Sequence, residues 1–75
     1  MAMRKHSVSI RGHRTSFSLE EDFHAELVAI AQARDVPLAR LIARIDADRP
    51  PDINLSSALR LFVLRTVRQA AERKG

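Results

Sequence analysis

Seventy-five residues with no Cys and a net charge of +4 allow one small domain and exclude disulfides and thiolate metal sites. A core this small is marginal alone, so a partner chain is the expected stabiliser. No apolar run reaches the roughly 18 residues of a transmembrane helix, and no apolar stretch follows the basic start as in a signal peptide. The expectation is a soluble, cytoplasmic protein.

The charge is unevenly placed. Residues 1–19 hold Arg4, Lys5, Arg11 and Arg14 and no acid, so the excess of Lys and Arg lies entirely there. Such asymmetry points to a polyanionic partner or, more blandly, to a solvated basic tail. Met1 to His6 shows no pattern and is expected to be disordered or partly ordered. Ser7–Arg11 alternates, and Gly12-His13 suits a type II′ turn. In that hairpin Val8 faces Phe17, Ile10 faces Thr15, Ser9 faces Ser16 and Arg11 faces Arg14. An arm that orders only on its partner is the alternative.

Arg14–Leu19 is the clearest strand. Thr15, Phe17 and Leu19 share one face, with Arg14, Ser16 and Ser18 on the other. A strand this short must pair with something. The period then changes to that of a helix, expected over Glu20 to Arg34. Ser18 and Glu21 have capping-box spacing, and Glu20, Glu21 and Asp22 suit the positive end of the dipole. Phe23, Leu27, Ile30 and Ala31 form its apolar stripe. Pro37 opens a second helix that runs to Asp48, with Leu38, Leu41, Ile42 and Ile45 on one side and Arg40 and Arg44 on the other. Pro50 and Pro51 end it. A third helix runs from Leu55 to Arg73, capped by Asn54 or Ser56. Its stripe is Leu55, Leu59, Phe62, Val63, Val67 and Ala70, with Leu61 and Leu64 widening it.

Strand, helix, turn and helix at these lengths resemble the ribbon-helix-helix superfamily of MetJ/Arc-type repressors. The nearer likeness is to short bacterial members with a third helix. It rests on Gly12-His13-Arg14-Thr15-Ser16-Phe17-Ser18-Leu19-Glu20 and on Asn54-Leu55-Ser56-Ser57-Ala58-Leu59-Arg60-Leu61-Phe62-Val63-Leu64. The resemblance implies a mostly helical α+β fold: a basic arm or first hairpin strand over 1–13, a ribbon-helix-helix core over 14–48, and a linker and third helix over 49–75. It also implies an intertwined homodimer in which the strands of two chains pair. Thr15, Phe17, Leu19, Phe23, Leu27, Leu41, Ile42 and Ile45 would form the dimer core, since no other surface of so short a chain is expected to hide the strand's apolar face.

By the same likeness, the chain is a double-stranded-DNA-binding transcriptional regulator, of the repressor type, at the nucleoid. Arg14, Ser16 and Ser18 would contact bases in the major groove. Phosphate contacts are expected from Lys5, Arg11, Ala39 and Arg40. The chain departs from the pattern at Asp35, where many members have Gly, and at Pro37, where many have Ser or Thr. Pro37 offers neither hydroxyl nor amide hydrogen, so a phosphate clamp there rests on the amides near Ala39 and Arg40. If both chains form hairpins, a four-stranded sheet is wider than the groove readily admits.

Other readings weigh less. The polar strand face could be plain solvent surface. His6, His13 and His24 lack the spacing and companions of a metal set, and no metal or cofactor is expected. No Ser has a visible His–Asp arrangement, so no catalysis is expected. The rival function is a protein-interaction module, antitoxin-like, that uses the third helix through Leu61 and Leu64.

Overall fold

Alternation at the start of the chain becomes an antiparallel hairpin. The computed structural model describes residues 3–74. The order is β1 (Met3–Ile10), β2 (His13–Glu20), α1 (Glu21–Ala33), α2 (Leu38–Asp48) and α3 (Leu55–Lys74). The strand expected to need a partner thus finds one in its own chain. Of the six residues expected to lack order, Met1 and Ala2 lie outside the described residues. Met3 to His6 are strand. The reason this is invisible in the sequence is chemical: the inward positions there are Arg4 and His6, opposite Leu19 and Phe17. Neither registers as apolar: His6 stacks on Phe17 and His24, while Arg4 stays exposed and pairs with Glu21.

The hairpin turn also differs from expectation. Arg11 (φ 51°) and Gly12 (φ 79°) are its two central residues. Positive φ at both positions is the type I′ geometry, not II′. Val8 therefore lies opposite Thr15, Ser7 opposite Ser16 and Ser9 opposite Arg14. The displacement is two residues, so every side chain keeps its face. Arg11 leaves the ladder, so it no longer stands opposite Arg14, where two like charges would repel. Arg is a poor occupant of the first I′ position, where Asn is favoured. Arg11→Asn should stabilise the chain by about 1 kcal/mol, seen as a rise of about 4–8 °C in the melting midpoint. A fall would show that another contact of Arg11 outweighs its backbone strain.

The strand runs into α1 without a loop. Glu20, extended, is the N-cap, and no side chain caps the helix. The expected capping box is absent because Ser18 is still in the strand. Its amide donates instead to Ser56 Oγ at 3.2 Å. At the other end of α1, the Asp35 amide donates to the Gln32 carbonyl and the Val36 amide to the Ala31 carbonyl, at 3.1 and 3.0 Å. This pair is a Schellman closure. Asp35 adopts φ 56° to make it, so it occupies the left-handed position that Gly usually fills. Pro37, extended, precedes α2 as its N-cap rather than standing in the first turn. At α3, the expected Asn54 cap forms, with Oδ1 accepting from the Ser57 amide at 2.9 Å.

The core joins all five elements. Leu19, Leu27, Leu41, Ile42 and Leu59 have almost no contact with water, and Ile10, Phe17, Ile30, Ala31, Ile45, Leu55, Ala58 and Val63 surround them. Six residues expected at a two-chain interface (Phe17, Leu19, Leu27, Leu41, Ile42 and Ile45) are thus already buried within one chain. Thr15 and Phe23 are half-buried. The inference that only a second chain could hide the strand's apolar face is overturned. The helices of the same chain hide it, with the first turns of α3 lying along β2. The stripe on α3 is buried only as far as Val63, and Leu64 and Val67 are exposed.

Candidate nucleic-acid interface

The two faces of the hairpin have opposite chemistry. Inward, Val8, Ile10, Thr15, Phe17 and Leu19 cover the helices. Outward, Arg14, Ser16 and Ser18 are all exposed. Residues opposite one another in a ladder share a face, so Ser9, Ser7 and Lys5, which oppose these three, complete the surface. All three are exposed. The face thus carries four hydroxyls and two cations. Ser7 and Ser9 escape the sequence-based site because the first strand is there only one of two alternatives. Their alternation is the available signal.

The acid that strand parity places on this face is Glu20. Glu20, at its far end, accepts from Arg60 Nε at 2.9 Å. That bond is the main reason its carboxyl titrates below the ordinary range. Arg4 on the inward face pairs with Glu21 of α1. The nearest carboxylates are therefore occupied, while Lys5 and Arg14 make no ion pair among the described residues.

The backbone arrangement adds a constraint. In a two-residue hairpin, the residues flanking the turn exchange hydrogen bonds and alternate pairs do not. Arg14, Ser16 and Ser18 fall in the alternate pairs, so their amides and carbonyls point to the open edge of β2. The Ser18 amide is already committed to Ser56. The edge left for another strand is short and centres on Arg14 and Ser16.

The expected phosphate contacts do not all gather here. Lys5 lies on the outward face, and Arg11 is exposed in the turn. Ala39 and Arg40 are exposed on another element, the first turn of α2. The Arg40 amide donates to the Pro37 carbonyl at 3.0 Å, as does that of Leu41 at 3.1 Å. That leaves the amides of Leu38 and Ala39 to point out of the helix end, where a helix favours an anion.

Behind the hairpin, His6 lies parallel to His24 of α1 with ring centres 4.0 Å apart, and against Phe17 at 5.4 Å. Arg4 and Glu21 border the same hollow. Burial, and then the neighbouring His6, lower the pKa of His24. The fold therefore favours neutral His24. Its contribution to stability is complete above about pH 6.5 and is lost as the pH falls below that value. Melting midpoints taken from about pH 8 to 5 should decline through this range, and His24→Phe should flatten the decline. An unchanged slope in that variant would assign the acid sensitivity elsewhere.

The arrangement is an N-terminal two-stranded ribbon backed by three helices, with a polar and basic outward face. A family model described as a ribbon-helix-helix domain matches residues 3–67. The chain belongs to the ribbon-helix-helix family. Domains of this family are generally DNA-binding transcription regulators that form dimers, and they are typically not enzymes. No curated protein and no solved structure matches the chain. No helix among the described residues is long and apolar enough to cross a membrane.

Proposed function

We propose that this protein is a sequence-specific, dimeric DNA-binding regulator that reads the major groove with the outward face of its hairpin. One observation carries the reading: the hairpin lies within one chain, and its solvent face holds Lys5, Ser7, Ser9, Arg14, Ser16 and Ser18, with Glu20 at its end paired to Arg60. Two strands fit a major groove about 12 Å wide. Four strands spaced by about 4.8 Å would not, once side chains are added. Each chain accordingly brings a complete ribbon. The dimer sets two ribbons on two half-sites, about one helical turn apart.

Arg14 pairs with guanine through O6 and N7, and the serines make shorter, more tolerant contacts. Lys5 and Arg11 hold phosphates, as do the first amides of α2 at Ala39 and the Arg40 side chain. The regulator acts as a repressor in the cytoplasm, at the nucleoid.

Selection from random double-stranded DNA tests this directly. Two inverted half-sites containing guanine should be recovered. Lys5→Ala or Arg11→Ala should weaken binding to every sequence alike and reduce the salt slope by about 0.9 for each phosphate that is no longer neutralised. Recovery of no sequence at low salt would end the proposal.

A further inference from the structure

Between α2 and α3 lies an open groove of about 530 Å³. Its floor is apolar, built from Leu41, Ile45, Ile53 and Phe62. Arg34, Arg44 and Arg65 stand around it, with Asp48 as the acid that borders it. Arg49 also borders it but is committed: its Nε donates to Asp46 at 2.8 Å and Nη1 to the Ile53 carbonyl at 2.6 Å. The guanidinium of Arg34 lies 5.2 Å from the centre of the Phe62 ring, which holds that charge at the rim. Arg44 and Arg65 are exposed and have no ion-pair partner among the described residues.

We infer that this groove docks an acidic amphipathic helix of a partner protein. The floor supplies the hydrophobic part of such a site, and helix-in-groove recognition reads apolar anchors at i, i+3, i+4 and i+7. On α3 the groove extends from Ala58 to Gln69. At about 1.5 Å per residue this accommodates about three turns of a docked helix. Charge selects the partner. Three arginines against one aspartate favour carboxylates, which the guanidinium fork binds in two-bond geometry. A second copy seated through the same patch would bring the same net positive lining, and so offers less charge complementarity than an acidic helix. The apolar floor gives a nucleic acid backbone nothing to bury. The groove and the outward hairpin face have no residue in common, so this inference stands apart from the DNA reading.

The probe is a synthetic helical peptide of about 16 residues with Leu at anchor spacing and Glu on the flanks. A second peptide carries Lys in place of every Glu. Each is titrated into the full-length chain, with methyl NMR signals of Leu41, Ile45 and Ile53 as the readout. The Glu peptide should shift these signals and bind at least about tenfold more tightly than the Lys peptide. The exposed double variant Arg44→Glu/Arg65→Glu, checked for native circular dichroism, should reverse that order. Arg14→Ala should leave it unchanged. Equal affinity for the two peptides, or no shift with either, overturns the inference. So does a shift with protein concentration alone, which would make the groove a contact between copies, or a shift with a short random DNA duplex.

Discussion

Phe17→Asp should leave the chain unfolded at ordinary temperature, with far-ultraviolet circular dichroism showing loss of helix. Phe17 is 5 % exposed and stacks on His6 in the layer between hairpin and helices. Truncating such a side chain costs about 3–5 kcal/mol. The carboxylate must also leave water with no cation in the core to receive it, which adds several kcal/mol more. A 75-residue domain has about 4–11 kcal/mol in total. The loss therefore meets or exceeds what is available. Ser16→Asp is the matched control, one residue away on the opposite, exposed face. It should keep a native spectrum and melt cooperatively. A folded Phe17→Asp chain would mean that the hairpin does not need its inward face to dock.

Arg14→Ala should have the largest effect on recognition. One bidentate contact to guanine is worth about 1–3 kcal/mol of discrimination, or about 5- to 150-fold. The loss should fall at one position per half-site, measured by competition among single-base variants of the selected sequence. The fold should be untouched, since Arg14 is exposed and bonded to nothing among the described residues. An even loss across all sequences would move Arg14 from base reader to phosphate contact. Discrimination left intact would remove the hairpin face as the reader.

These two residues show how differently the faces of one strand can be read. The alternation over Arg14–Leu19 assigns both sides correctly because Phe17 and Leu19 are strongly apolar and Arg14 is not. The same logic fails at Met3–His6, where the inward positions are held by Arg4, which stays exposed, and by half-buried His6. Arg4 reaches Glu21, and His6 is held by two aromatic rings. Neither contact leaves a hydropathy signal. The helices are legible for the opposite reason: their apolar stripes are long, and Asp35, the two prolines and Asn54 mark their limits. Asp35 departs from the family pattern in residue type alone. It still fills the left-handed position, since its short polar side chain tolerates that backbone.

The sequence by itself determined the order of elements, the two faces of β2, the basic bias of the first 19 residues and the likeness to a ribbon-helix-helix protein. Each depends on local spacing or residue type, which needs no long-range contact to be seen. Tertiary structure decided three other things. It set the turn at Arg11-Gly12, which only the full register of eight pairs could settle. It closed the core within one chain, because the first turns of α3 come back along β2 through Ser56 to Ser18 and Arg60 to Glu20. And it opened the groove between α2 and α3, a product of helices whose separation no periodicity records. Contacts between residues about 40 positions apart depend on how the chain folds back on itself, and spacing along a sequence carries no measure of that.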